Sequence, residues 1–244
     1  MSIAQRWLPG TALGSFFERN TQLNRAREID RLLNDLQLGT GRETPMGALL
    51  DLYASWGHPL TEVETSHLTS ALQCAEVVDG PILQCGANLT TLILGKLCDG
   101  LAYREKRIVC LEENEHWADF IRSWLTQYQI RSVQVLTSRP RLHGGCVWYS
   151  VNPEKLPKNF ALALCQGGKS QASGLASLVI RFTKNLAPNA TLLGQQVRDP
   201  IEIQFLQRWA ERHEHRCVTV DTASGYLKVI PITESEAVYS VKQL

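Results

Sequence analysis

From Gly80 onwards the chain alternates short apolar segments with amphipathic helices, and this alternation limits the fold more than any other feature. Strand-like segments of about four to seven residues, among them PILQCG, KRIVCLE and FALALCQGG, are separated by helical segments of about 10 to 15 residues. Continuously apolar strands of this length are buried on both faces of a sheet. The pattern therefore predicts an α/β fold, in which helices cover both faces of a mostly parallel sheet.

The last apolar segment, CVTVDTASGYLKVIP, has a different pattern. Two strand-like runs flank Ala223, Ser224 and Gly225, which predicts an antiparallel hairpin with its turn at these residues. A usual dinucleotide-binding sheet ends in a parallel strand. We therefore expect a Rossmann-like sheet that is closed by an antiparallel hairpin strand.

Residues 1–40 have a helical and polar pattern, and further helices are predicted up to residue 79. The segments NRAREIDRLLNDLQLG and MGALLDLYASW predict two helices, and Thr61 with Glu64 forms a capping box before a third helix at about 62–77. We expect residues 1–79 to form an N-terminal helical extension or lid and residues 80–244 to form the α/β domain. The amphipathic helix at 24–38 offers a face for pairing with a second copy of the chain.

The composition argues against several classes of partner. A net charge of +1 gives no bulk attraction to nucleic acid or to anionic lipid. The first residues lack the apolar core of a signal peptide, and no run approaches the roughly 20 apolar residues of a membrane span. The seven cysteines contain no C-x-x-C pair, and the six histidines form no ligand cluster. These features predict a cytoplasmic protein with reduced, buried cysteines, no metal, no nucleic-acid partner and no membrane partner.

The turn after the first strand, in ILQCGANLTT, is where a Rossmann-like sheet binds its ligand. Gly86 lets the backbone approach a ligand closely, and Asn88 is the side chain that best tolerates a positive φ. Thr90 or Thr91 is expected to cap the following helix. The turn lacks the G-x-G-x-x-G pattern, which disfavours a dinucleotide. A tight turn that binds nothing is the alternative.

Glu112 ends the second strand, in KRIVCLE. A carboxylate at this strand end can accept hydrogen bonds from both hydroxyls of a ribose, and its separation from Gly86 is close to the roughly 20 residues seen in dinucleotide folds. The alternative is a solvated acid that helps to start a helix, which suits Glu113 and Glu115 better.

Five segments in this order resemble the class I S-adenosylmethionine-dependent methyltransferases, and a bacterial subgroup of small O-methyltransferase-like proteins in particular. The segments are ILQCGANLTT, RIVCLEENEHW, FALALCQGG, LAPNATLLGQQVRDP and GYLKVI. The resemblance covers residues 80–231, and its most specific element is Leu111-Glu112 followed by Trp117. It implies a Rossmann-like methyltransferase fold with S-adenosylmethionine as cofactor.

By position, the resemblance also implies roles for single residues. Gln84 corresponds to an acid that orders the turn. Gly86, Ala87 and Asn88 would contact the methionine part of the cofactor, and Glu112 would bind its ribose. Ser138 would lie near the adenine, and Gln166 would lie beside the methyl group.

Four positions that are acidic in this family are amides here, at Gln84, Gln166, Gln195 and Gln196. Catechol-type methyltransferases hold Mg²⁺ with acids at the ends of the fourth and fifth strands, and neutral amides are poor replacements for them. We therefore expect no catalytic metal. An amide at Gln84 keeps an acceptor oxygen but loses the charge, which is expected to weaken binding of a cationic cofactor.

Three functions are compatible with these residues. The first is metal-independent methyl transfer to a small molecule, with His143 in the loop RPRLHGG or His58 as candidate base, although both are also common as surface or turn histidines. The second is a non-catalytic, methyltransferase-like interaction or regulatory module, which the four glutamines favour. The third is an NAD-type Rossmann enzyme, which the turn and the terminal hairpin oppose.

Overall fold

A computed structural model of the chain describes residues 27–35, 46–57, 60–101, 106–143, 146–165, 174–222 and 225–232. The strands in these ranges are β1 (Ile82–Cys85), β2 (Ile108–Glu112), β3 (Val133–Thr137), β4 (Pro140–His143), β5 (Cys146–Tyr149), β6 (Phe160–Cys165), β7 (Leu186–Gly194), β8 (His215–Asp221) and β9 (Tyr226–Pro231). The α-helices are α1 (27–35), α2 (Met46–Trp56), α3 (Glu62–Val77), α4 (Leu89–Gly100), α5 (Glu115–Gln127), α6 (Leu175–Phe182) and α7 (Pro200–Arg212).

Seven strands form one sheet in the order β3-β2-β1-β6-β7-β9-β8. Strands β3, β2, β1, β6 and β7 pair in parallel, and β9 is antiparallel to both of its neighbours, β7 and β8. The predicted fold class and the predicted C-terminal hairpin are therefore confirmed. The order follows that of a dinucleotide-binding sheet, except that an antiparallel strand stands between the last two positions.

The strands alternate their side chains between two apolar cores, one on each face of the sheet. On one face Ile82 and Leu164 pack with residues of α1 to α5, so the N-terminal helices share a core with the sheet. On the other face Leu83 and Ala163 pack with β5, α6 and α7. Helices cover both faces, as the continuous apolar runs predict.

Helix α3 shows how a local signal sets an element boundary. Thr61 is the N-cap, and its side chain and that of Glu64 form the reciprocal capping box that the sequence predicts. The helix ends at Val77, and the buried Lys106 side chain donates to the carbonyl oxygens of Ala75 and Glu76. A lysine that satisfies free carbonyls at a helix C-terminus also complements the helix dipole.

Within the segment RPRLHGG, residues Pro140–His143 form strand β4, so the prediction of a loop is wrong for these residues. Strand β4 pairs with β5 in an antiparallel hairpin outside the main sheet, with His143 opposite Cys146. The physical reason is the apolar segment that follows, because Trp148 and Tyr149 are buried in the second core. Trp148 also packs edge-on against Phe182 of α6.

Within the described ranges, every helix is too short or too polar to span a lipid bilayer.

Candidate functional site

The carboxyl ends of β1 and β2 place the first turn beside Glu112. Gly86 follows β1 with a φ of 89°, a conformation that strains any residue with a Cβ, and its N–H donates to the carbonyl of Leu111 at 2.9 Å. The backbone thus requires glycine at this position. Because the strands are parallel and adjacent, the turn and the end of β2 meet at the edge where ligands bind to this type of sheet.

The carboxylate of Glu112 is buried, with 7% of the residue exposed. Its Oε2 accepts from the Ala87 N–H at 2.8 Å, and its Oε1 accepts from the Asn114 N–H at 2.9 Å. Glu112 therefore holds the first turn and the start of α5 together. Each oxygen retains one further acceptor position, so this structural role is compatible with binding two hydroxyl groups.

Trp117 holds the same turn from the other side. Its indole Nε1–H donates to the carbonyl of Ala87 at 2.6 Å, and its ring stacks on Phe120 with ring centroids 5.0 Å apart. Both backbone polar groups of Ala87 are therefore bonded, the N–H to Glu112 at the end of β2 and the carbonyl to Trp117 of α5. The resemblance singled out Trp117, but the contact itself depends on tertiary packing and has no signal in the local sequence.

Asn88 does not adopt a positive φ. Its φ is −159°, and it is the N-cap of α4, with its side-chain oxygen accepting from the Thr90 N–H at 2.9 Å. Thr91 completes a reciprocal box by accepting from the Asn88 N–H at 3.0 Å. The prediction of a left-handed Asn88 is therefore wrong. The predicted threonine cap is confirmed in part, because Thr91 takes part in the capping box although Asn88 is the N-cap. Asparagine is among the strongest N-cap residues, and that preference decides the geometry.

Gln84 lies below the turn and is fully buried in β1. Its Nε2 donates to the carbonyl of Gly86 at 3.2 Å, so the amide orders the turn. Its Oε1 has no hydrogen-bond partner among the described residues. An unpaired buried acceptor costs about 1 to 3 kcal/mol, which a bound donor such as an ammonium group would recover.

Of the remaining predicted site residues, the structure describes some completely and others only in part or not at all. Ser138 follows β3, is nearly buried, and donates its N–H to the carbonyl of Glu112 at 2.8 Å, so it lies at the same edge. Gln166 and His58 lie outside the described residues, and of His143 only the backbone in β4 is described.

The two glutamines after β7 differ in exposure. Gln195 is half-buried, and its N–H donates to the carbonyl of Cys165 at 2.9 Å. Gln196 is exposed and has a φ of 60°. In the described part of the chain, no group of three or more His, Cys, Asp and Glu side chains is arranged to hold a metal ion.

Helix α2 contacts the start of α4 through a buried hydrogen bond. The hydroxyls of Tyr53 and Thr90 lie 2.6 Å apart, and burial raises the pKa of Tyr53 well above its usual value. Trp56 of the same helix packs edge-on against Trp117, with ring centroids 6.4 Å apart. The N-terminal extension is thereby joined to both sides of the first turn. Sequence analysis missed this link because the partners are far apart in the chain.

The thiols near the site are buried, as the sequence predicts. Cys85 and Cys110 lie on β1 and β2, and burial raises the pKa of both well above that of a free thiol. Burial raises the pKa of Cys98 to about 12. A thiol, not a thiolate, therefore predominates at these positions at neutral pH, which excludes them as activated nucleophiles.

No protein-family model and no curated protein matches the chain. Among solved structures, the chain is similar to a precorrin-6y C5,15-methyltransferase from Geobacter metallireducens, with 17% identity and a TM-score of 0.46 over 70% of this chain and 88% of that one. It is also similar to a SAM-dependent methyltransferase from Aquifex aeolicus, with 14% identity and a TM-score of 0.45 over 67% and 87%. A third is an rRNA methylase from Streptococcus thermophilus, with 11% identity and a TM-score of 0.43 over 71% and 98%.

The fold is a Rossmann-like α/β fold with a seven-stranded sheet. The antiparallel strand between the last two positions of an otherwise parallel sheet agrees with the fold that the sequence resemblance implies. At these identities and TM-scores, the likenesses say nothing about the substrate or the activity of this chain. Function therefore has to be argued from the residues of the site.

Proposed function

We propose that the chain binds S-adenosylmethionine at the Gly86 turn and transfers its methyl group to a small molecule without a metal ion. The observation that carries the proposal is the unpaired, fully buried Oε1 of Gln84 below the turn. A buried acceptor next to a glycine turn suits the ammonium group of the cofactor's methionine part. Glu112, one strand away, has acceptor capacity left for the ribose hydroxyls.

The cofactor supplies a methyl group on a positively charged sulfur, and this chemistry needs alignment more than acid–base groups. The residues of the chain would orient it: Gln84 by accepting from the ammonium group, and Glu112 by accepting from the ribose. Helix α2, fixed to α4 by the Tyr53–Thr90 bond, supports the proposal that residues 1–79 form the lid and part of the acceptor pocket. A cytoplasmic location is part of the same proposal.

Metal independence rests on the residues after β7. Gln195 and Gln196 carry neutral amides where a metal-dependent enzyme needs carboxylates, because Mg²⁺ prefers charged oxygen ligands. The proposal predicts that methyl transfer continues undiminished in excess EDTA.

A specific observation favours the second candidate, a non-catalytic methyltransferase-like module. The amides of the turn are bonded within the chain: Ala87 N–H to Glu112, Asn88 N–H to Thr91 Oγ1, and Thr90 N–H to Asn88 Oδ1. A turn that satisfies its own donors holds its shape without a ligand. In this alternative Glu112 is a purely structural residue.

Isothermal titration calorimetry with S-adenosylmethionine and S-adenosylhomocysteine separates the two candidates. The proposal predicts saturable binding of both. Gln84→Leu places an apolar side chain of similar size in the core and removes the acceptor, and should weaken binding by roughly 10- to 100-fold, as expected for a hydrogen bond to a charged group. Gln84→Glu should strengthen binding of the cationic cofactor.

The matched control is Glu154→Gln, which removes an exposed carboxylate from the turn before β6 and should leave binding unchanged. If the wild-type protein binds neither ligand at millimolar concentration, the enzymatic proposal is refuted and the non-catalytic module is favoured. Binding that is equal in Gln84→Leu and wild type would refute the assignment of Gln84.

A further inference from the structure

A second group of polar side chains lies between α3 and β9. His67 and Ser70 are on the face of α3 that covers the sheet, and Tyr226 and Lys228 project from the same face of β9 towards them. We call these four residues the Lys228 cluster. A lysine in the otherwise apolar strand YLKVIP is the one signal of this cluster in the sequence.

The cluster is separate from the candidate cofactor site. In the register of the sheet, Gln84 pairs with Leu164, Leu164 with Leu193, and Leu193 with Lys228. Both leucines are fully buried. Three strand spacings of about 4.8 Å place the backbone of Lys228 about 14 Å from that of Gln84, with packed core between them.

Lys228 is a part-buried ammonium group with neutral partners. Its Nζ donates to the Ser70 hydroxyl at 2.7 Å and lies 5.5 Å from the centre of the Tyr226 ring. In the described ranges no carboxylate pairs with it. The charge of Glu64 raises the pKa of His67, but the Glu64 carboxylate accepts hydrogen bonds from Thr61 in the cap of α3. An ammonium has three donors, and a part-buried charge without a counter-ion is costly.

His67 contributes an unpaired buried atom to the same cluster. One per cent of the residue is exposed, its ring packs edge-on against Tyr226 at 5.0 Å, and its Nε2 has no hydrogen-bond partner among the described residues. Burial, and then the charge of Lys228, lower the pKa of His67 to about 4, while Glu64 opposes the shift. The imidazole is therefore neutral at pH 7, and its Nε2 is available to donate as one of the two tautomers.

We propose that the Lys228 cluster binds a small oxyanion, a carboxylate or phosphate group, through the Lys228 ammonium, the Ser70 hydroxyl and His67 Nε2. The anion supplies the missing counter-ion and a partner for the orphaned nitrogen at once. Tyr226 walls the site, because its ring packs against both the ammonium and the imidazole. The site does not depend on methyl transfer, since the buried leucines separate it from the Gly86 turn.

The test is a titration of ¹⁵N-labelled full-length protein with sodium acetate and, separately, with inorganic phosphate, at constant ionic strength. Long-range ¹H–¹⁵N spectra follow the ring nitrogens of each histidine. We expect a saturable shift of His67 Nε2 with at least one anion, and none at His116, which is exposed. The anion that saturates the site at the lower concentration shows whether it is a carboxylate site or a phosphate site.

Lys228→Met should weaken this binding by at least about tenfold, as expected for loss of a charge-assisted hydrogen bond, and Ser70→Ala by less. Lys158→Met, at an exposed lysine, should leave it unchanged. Ser70→Ala decides the question if Lys228→Met fails to fold. The absence of a saturable shift with either anion, which would mean that the cluster holds water only, overturns the proposal. A shift that persists unchanged in Lys228→Met and Ser70→Ala would also overturn the proposal.

Discussion

Replacing Glu112 with glutamine is expected to destabilise the fold, independently of any ligand. The buried carboxylate accepts from two backbone N–H groups, those of Ala87 and Asn114, at 2.8 and 2.9 Å. A glutamine of the same shape has one acceptor oxygen and one NH₂ group, so one backbone donor must then face another donor. The substitution therefore loses one charge-assisted bond and leaves unpaired either the buried N–H of Ala87 or the part-buried N–H of Asn114.

The expected cost follows from these two effects. A hydrogen bond to a charged group contributes about 1.5 to 3 kcal/mol, and an unpaired buried donor costs about 1 to 3 kcal/mol. Because the two effects largely overlap, the free energy of unfolding should fall by about 2 to 4 kcal/mol. For a chain of this size, each 1 kcal/mol lowers the melting temperature by about 2 to 4 °C. We expect a decrease on the order of 5 to 15 °C, measured by circular dichroism without ligand.

The matched control is Glu113→Gln, at the next residue. Glu113 is half-buried, and its side chain forms no hydrogen bond or ion pair with the described residues. Its replacement should change the melting temperature by less than about 1 °C, as is usual for a surface substitution of small energetic effect. If Glu112→Gln melts within that same margin of wild type, Glu112 does not hold the turn.

Three further experiments test the packing around the site. Gly95→Ala should destabilise the fold by about 1 to 3 kcal/mol in urea denaturation, because the new Cβ would lie 2.4 Å from Ile130 Cγ2. Gly47→Ala is its control, since nothing lies within 4 Å there; it should be neutral or stabilising, and equal effects at both positions would contradict the account. Trp117→Phe keeps the ring stacking but leaves the Ala87 carbonyl without its donor, so it should cost about 1 to 2 kcal/mol; no change would show that the bond is dispensable. Tyr53→Phe and Thr90→Val should show a coupling energy of about 1 kcal/mol in a double-mutant cycle, and strict additivity would refute their hydrogen bond.

The fold could be predicted where local signals and chain periodicity agree. Helix α3 has a capping box at Thr61, and its bounds match the prediction because the cap fixes the first turn. The parallel sheet follows from continuously apolar strands such as FALALC, buried at every position. The hairpin of β4 and β5 was missed because its glycines indicate a loop, whereas burial of Trp148 decides the structure.

The candidate site could be predicted only in part. Gly86 and Glu112 are recognisable because strand ends in a parallel sheet define an edge, and Ser138 lies there as expected. The predicted conformation of Asn88 was wrong because asparagine has two competing local preferences, a positive φ and the N-cap position. At the start of a helix the N-cap preference prevails. Contacts such as Tyr53 with Thr90 and Lys228 with Ser70 join distant segments, so no local pattern predicts them.

The central claim is that the Gly86 turn, with Gln84 below it, holds S-adenosylmethionine. The most direct measurement is a map of NMR chemical-shift changes on adding S-adenosylhomocysteine, which is not consumed. The account predicts that the largest changes fall on the side-chain amide of Gln84 and on the backbone amides of Gly86 and Ala87. A cavity of about 340 Å³ lies away from this turn, at the amino-terminal edge of β7 and β8, and is lined by residues that include Trp209 and His215. Changes confined to that cavity, or no changes at any residue, would contradict the account.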